Sequence, residues 1–251
     1  KILYYGPSNK AQLLDILSKY HKGNFPTRVL PNSYPFTYKK TNTNEVNFSN
    51  YDMVQTEISW CRNAAIYNPV NVPITNLFNE YFGGGMSGIV FQTIRESKAL
   101  AYSTYAVYGS AYKSGEPNYI RAYVGCQADK MKDAVSSMQE LLDTLPYSER
   151  LFDITKTSLK NNYATSRMQK QQILFQYLDA LRHDISYDTR EKTYQLLDKF
   201  TFNDLKSFHQ NAFSHKPYSI NLIGDEKKIK WQDISKYGKV NKYTLKQIFG
   251  Y

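Results

Sequence analysis

Apolar positions along the chain switch between two periods, every second residue and every third or fourth, and the switches mark the elements. Residues 2–5 alternate enough to predict a strand, closed by Gly6-Pro7. Asn9 then reads as an N-cap, and residues 11–20 repeat at helical spacing up to the stop at Gly23. Residues 24–44 lose all periodicity and hold Pro26, Pro31 and Pro35 among Asn, Thr, Ser and Lys. That composition predicts an extended linker. The reading therefore divides the chain in three: a closing strand–helix of a preceding domain over 1–22, a linker over 23–44, and a folded domain over 45–251.

Within that domain, residues 45–49 and 52–62 alternate as strands. A helix over 74–82 follows Pro73 and ends at Gly83-Gly84-Gly85, and a second short helix runs from Ser87 to about Glu96. Residues 101–111 and 119–127 read as two long strands joined by a hairpin loop at 113–118. Asp129 is the expected cap of the next helix, whose stripe is Met131, Ala134, Val135, Met138, Leu141, Leu142 and Leu145. Residues 148–213 read as about four helices, with Ser148 and Asp188 as N-caps and Thr201 to Asp204 as a capping box. A last core strand covers 218–223. The lysine-rich tail holds a short helix near Asp233 and a strand near 240–245. Hairpin-linked strands beside a block of helices predict an α+β fold: a largely antiparallel sheet with helices packed on one face.

Composition adds less. The 251 residues suffice for a full core, and no apolar run reaches the ~18–20 residues of a membrane span. The N-terminal apolar stretch is too short for a signal peptide, and the first residue is not Met, which suggests a processed or excised segment. There are 32 basic and 22 acidic side chains, a net charge of +10, and 23 tyrosines. Cations and stacking rings fit nucleic acid in principle. No RNP-type motif, helix-turn-helix signature or zinc knuckle accompanies them, so no nucleic-acid partner is expected. Cys61 and Cys126 could pair, but neither spacing nor context says so, and two buried free thiols are the simpler reading.

Metal and nucleophile chemistry is scarce. His21, His183, His209 and His215 are scattered, and neither H-E-x-x-H nor H-x-x-E-H occurs, so no zinc is expected on this chain. No G-x-S-x-G elbow is present. The segment from Gly83 to Gly88 is glycine-rich, but it follows a helix and lacks G-K-[ST], which makes it a helix stop rather than a phosphate loop.

Residues 77–103 are more informative. A helix ends in Gly83-Gly84-Gly85, a second ends in Arg95-Glu96, and Leu100-Ala101-Tyr102-Ser103 opens a long strand. With Gln55 in the first long strand and the late helical block, this order resembles the insulinase/pitrilysin zinc metallopeptidases, the family of the mitochondrial processing peptidases. The resemblance implies repeated α+β domains in two clam-shell halves, zinc held by H-x-x-E-H in the N-terminal half, and a C-terminal half without metal ligands. That second half supplies an Arg and a Tyr seven residues apart, which here fall on Arg95 and Tyr102. The implied function is a non-zinc-binding domain that closes a proteolytic chamber, with Arg95 and Tyr102 binding substrate and stabilising the oxyanion. Zinc would belong to the full-length enzyme or a partner chain. The implied partners are the zinc-carrying half, on the same chain or another subunit, and a peptide substrate. A non-catalytic structural subunit of the same family is the alternative. The compartment stays open, with a periplasmic or otherwise secreted location suggested.

Overall fold

The computed structural model describes residues 2–23, 29 and 36–250. In chain order the elements are α1 (Lys10–Tyr20), β1 (Glu45–Asn50), β2 (Gln55–Ile66), α2 (Val72–Phe82), a π-helical turn (Phe91–Ser97), β3 (Ser103–Gly109) and β4 (Pro117–Gln127). There follow α3 (Met131–Asp143), α4 (Glu149–Thr165), α5 (Lys170–Arg182), α6 (Thr189–Leu196), α7 (Phe202–Ala212), β5 (Ser219–Gly224), α8 (Trp231–Ile234), β6 (Lys239–Lys242) and α9 (Leu245–Phe249).

The six strands form one sheet in the order β3-β4-β2-β5-β1-β6. The α+β class stands, but the sheet is mixed. β3–β4, β4–β2 and β2–β5 are antiparallel, whereas β1 runs parallel to both β5 and β6. β5 enters between β1 and β2, so these consecutive strands are not neighbours as a hairpin reading expects. Alternate residues explain the layering. Val46, Phe48, Ile58, Trp60, Ala106, Ile120, Ala122, Val124, Ile220 and Leu222 all point to one buried face. α2 packs against β3 there and α3 against β4, and both join these residues in one core. On the other face one register row crosses every strand: Tyr105, Tyr123, Ser59, Asn221, Asn47 and Asn241. Asn47 Nδ2 donates to Ser219 and Asn221, and Asn241 Nδ2 donates to Asn47, so this face is a polar ladder.

Local chemistry sets most helix ends. Asn9 and Gln12 close a reciprocal capping box on α1, as Thr201 and Asp204 do on α7. Ser148 and Asp188 cap α4 and α6. Four expectations fail. Residues 2–5 form no strand, because no described residue offers them a ladder partner. Asp129 is not a cap: the chain enters α3 through a 3-10 turn, Ala128–Lys130, that contains it. The helix expected from Ser87 to Glu96 is mostly π-helix, and α9 lies where a strand was expected to end. Of the linker expected over 23–44, residues 24–28 and 30–35 lie outside the described ones, and residues 36–44 form no helix or strand. Cys61 and Cys126 are both free; they lie on opposite faces of the sheet, and burial pushes the Cys126 thiol up to about 12. No helix among the described residues is long and apolar enough to cross a membrane.

Candidate functional site: the Arg95–Tyr102 corner

The corner begins with the way α2 closes the edge of the sheet. β3 is an edge strand, and Asn79 of α2 acts on it as a substitute neighbour. Its Nδ2 donates to the Tyr108 carbonyl and its Oδ1 accepts from the Tyr108 amide, both at 2.9 Å. One turn later Gly83 lies directly on the strand: a Cβ there would sit 1.7 Å from the Ala106 carbonyl oxygen. Only glycine fits. Gly85, at φ +58, then turns the chain back. The Gly-rich segment is thus a helix stop and a tight connection, in keeping with the sequence reading.

The returning chain buries Val90 and Ile94 completely, which fixes the rotation of the π-helical turn. The i→i+5 pattern shows in the Lys98 amide donating to the Thr93 carbonyl at 3.2 Å. Next, the Leu100 amide donates to the Ile94 carbonyl at 2.9 Å across Ala99, a left-handed residue at φ 47. That conformation costs a non-glycine residue roughly 1–2 kcal/mol. Here it reverses the chain within one residue and brings position 102 back beside position 95. The Tyr102 amide donates to the Gly125 carbonyl at 2.9 Å and starts β3.

Arg95 and Tyr102 therefore meet at the exposed start of an edge strand. The guanidinium carbon lies 5.7 Å from the centre of the Tyr102 ring and 4.9 Å from that of Phe91. Among the described residues its ion pair, from Nε to Glu96, is long at 3.9 Å. Tyr102 is 74% exposed. The sequence reading singled out both residues and missed Phe91, whose signal was its place four residues before Arg95. Such an Arg–Tyr pair offers fixed guanidinium N–H donors and a phenolic O–H donor to one external acceptor. It offers nothing to a metal. Among the described residues no three His, Cys, Asp or Glu side chains gather as a group able to hold one. Both His183 ring nitrogens lie at backbone carbonyls, and the buried His209 bonds the Leu141 carbonyl through Nε2.

The mixed six-stranded sheet with helices packed on one face is a fold shared with solved protein structures. The same fold occurs in the peptidase M16 inactive domain of Pseudomonas fluorescens, with a TM-score of 0.65 and 15% identity over 80% of this chain and 49% of that one. It occurs also in the periplasmic protease PqqL of Escherichia coli, with a TM-score of 0.64 and 16% identity over 88% of this chain and 25% of that one. Residues 1–159 match the family described as the peptidase M16 inactive domain, and the chain belongs to that family. An uncharacterized zinc protease of Bacillus subtilis (strain 168), YmxG, is 35% identical over 86 residues, 34% of this chain and 19% of that protein. This chain thus spans about a fifth of that relative and half or less of these solved neighbours. Zinc is a property of the protease family named by that relative; the residues described here do not fit it.

Proposed function

We propose that this chain is the wall of a peptidase chamber that presents Arg95 and Tyr102 to the peptide carbonyl under attack, the zinc belonging to another part of the protein or to a partner chain. The observation that carries the reading is the pairing itself: a guanidinium held 5.7 Å from the ring of a largely exposed tyrosine. A peptide carbonyl oxygen gains negative charge as its carbon is attacked. The Arg95 N–H groups bind that oxygen, and the Tyr102 hydroxyl donates a hydrogen bond that strengthens as the charge grows. Both residues stand on anchored backbone, Arg95 on the π-helical turn and Tyr102 by its amide bond to Gly125, which limits the backbone rearrangement the reaction requires. The zinc-carrying half is the partner this requires. The apolar side chains that α1 exposes, Leu14, Ile16 and Tyr20, support residues 1–22 as part of the contact with it.

The test is peptide hydrolysis by the full-length protein, together with whatever subunit carries its zinc. Tyr102→Phe and Arg95→Ala are each expected to lower kcat about a hundredfold, as loss of an oxyanion donor does. Unchanged hydrolysis in both variants overturns the assignment.

A further inference from the structure

The structure assigns Phe91 as the residue that positions Arg95, an inference that rests on the reading of Arg95 as a donor to substrate. Arginine is long and rotamer-rich, and a donor is useful only if its fork is already aimed. The usual device is a carboxylate gripping the guanidinium. Among the described residues the carboxylate paired with it, Glu96, stands 3.9 Å from Nε, beyond hydrogen-bonding distance. What the guanidinium does touch is ring surface. Phe91 is the nearer ring, at 4.9 Å from its centre against 5.7 Å for Tyr102.

The difference matters chemically. A carboxylate would consume in-plane N–H donors and neutralise the charge. A ring face holds the cation through its quadrupole and leaves those donors for an external oxygen. Phe91 has no hydroxyl and cannot itself serve a carbonyl, so its contribution is to placement. Its own placement is firm. Val90 and Ile94, one residue before Phe91 and Arg95 respectively, are fully buried, and they hold the two side chains to the same side of the turn. The Tyr102 ring, at 5.7 Å, is the second ring beside the same guanidinium. Phe91 is a positioning residue and not a catalytic one.

The experiment is a double-mutant cycle in the full-length protein with its zinc-bearing half, read by peptide hydrolysis and by the Arg95 Nε–H resonance. Phe91→Leu keeps the apolar packing and removes the ring. It is expected to lower kcat about tenfold with KM nearly unchanged, and Phe91→Tyr to restore it. In an Arg95→Ala background, Phe91→Leu is expected to cost nothing further. The Nε–H signal should lose its ring-current shift in Phe91→Leu and keep it in Phe91→Tyr. Full activity in Phe91→Leu, or an equal loss with and without Arg95, overturns the positioning role. Full activity in Arg95→Ala instead overturns the proposed function beneath it, so the two failures are told apart.

Discussion

α3 and α5 are both 13-residue helices with an apolar stripe, yet they meet different fates. α3 buries seven residues, among them Met131, Val135, Met138 and Leu142, against the sheet. α5 buries none. Its Ile173, Tyr177 and Leu181 line one side of a cleft of about 580 Å³, opposite Tyr67 and Val72. α5 is tied down at its C-terminal end instead. The Ser114 amide donates to the Arg182 carbonyl at 2.8 Å, Arg182 lies over the Tyr112 ring, and the buried His183 ring sits between the carbonyls of Asp179 and Ala111. A helical stripe therefore predicts a contact but not its partner: α4 and α7 reach the core through α2, whereas α5 adds no buried residue to it.

The largest effect should separate these regions outright. Phe78 is fully buried and touches the rings of Phe82, Phe208, His209 and Phe213. Phe78→Ala is expected to destabilise by about 3–5 kcal/mol, enough to unfold most of the chain at 37 °C. Chemical denaturation followed by circular dichroism measures it. A loss under about 1 kcal/mol would mean that the cluster is no core at all.

Gly83→Ala probes how tightly the core side is coupled to the Arg95–Tyr102 corner. A methyl 1.7 Å from the Ala106 carbonyl oxygen must push α2 off β3. The expected cost is about 2–3 kcal/mol, in the range of overpacked sites, together with loss of hydrolysis. Stability and activity both unchanged would show that the strand edge gives way freely.

How much of this was legible in the sequence depended on distance along the chain. The caps at Asn9, Ser148, Asp188 and Thr201 could be read because donor and acceptor lie within three residues. The parallel pairing of β1 with β5 could not: Val46 meets Ile220, and alternation says that a strand exists without saying beside what. The π-helical turn escaped for a related reason. An i→i+5 ring is a small departure from i→i+4, set here by how Val90 and Ile94 seat in the core. Arg95 and Tyr102 were named through the family resemblance, which implies an Arg and a Tyr seven residues apart, and not through the local pattern of the chain. Phe91 needed the turn's actual geometry, since the period alone does not show which ring lies on the guanidinium.

A buried histidine gives a pH-dependent version of the same comparison. His209 of α7 is almost wholly buried, its Nε2 bonded to the Leu141 carbonyl of α3 at 3.0 Å, and burial holds its pKa below the usual imidazole value. The unfolded chain accepts a proton near pH 6.5 that the folded chain refuses. The stabilisation is therefore complete above about pH 6.5 and declines as the pH falls toward the folded-state value, by at most about 1.4 kcal/mol per unit. Tm measured between pH 8 and pH 5 should fall, and His209→Gln, less stable at pH 8, should flatten that fall. A parallel decline in the variant assigns the acid sensitivity to other groups.

The smallest effect tests α5 directly. Phe175 is 70% exposed near the middle of that helix. If α5 shares no core, Phe175→Ala removes little buried area and should cost within about 0.5 kcal/mol, with no change in the denaturant m-value. Amides of α5 should also exchange faster than those of α3, because local opening of a helix with no buried residue exposes little apolar surface. A cost above about 2 kcal/mol, or equal protection in both helices, would place α5 inside the cooperative unit and make its cleft a packed seam. The contrast matters for the proposed chemistry. Arg95 and Tyr102 stand on elements that pack against α3 and β4, on the region that these measurements should find rigid.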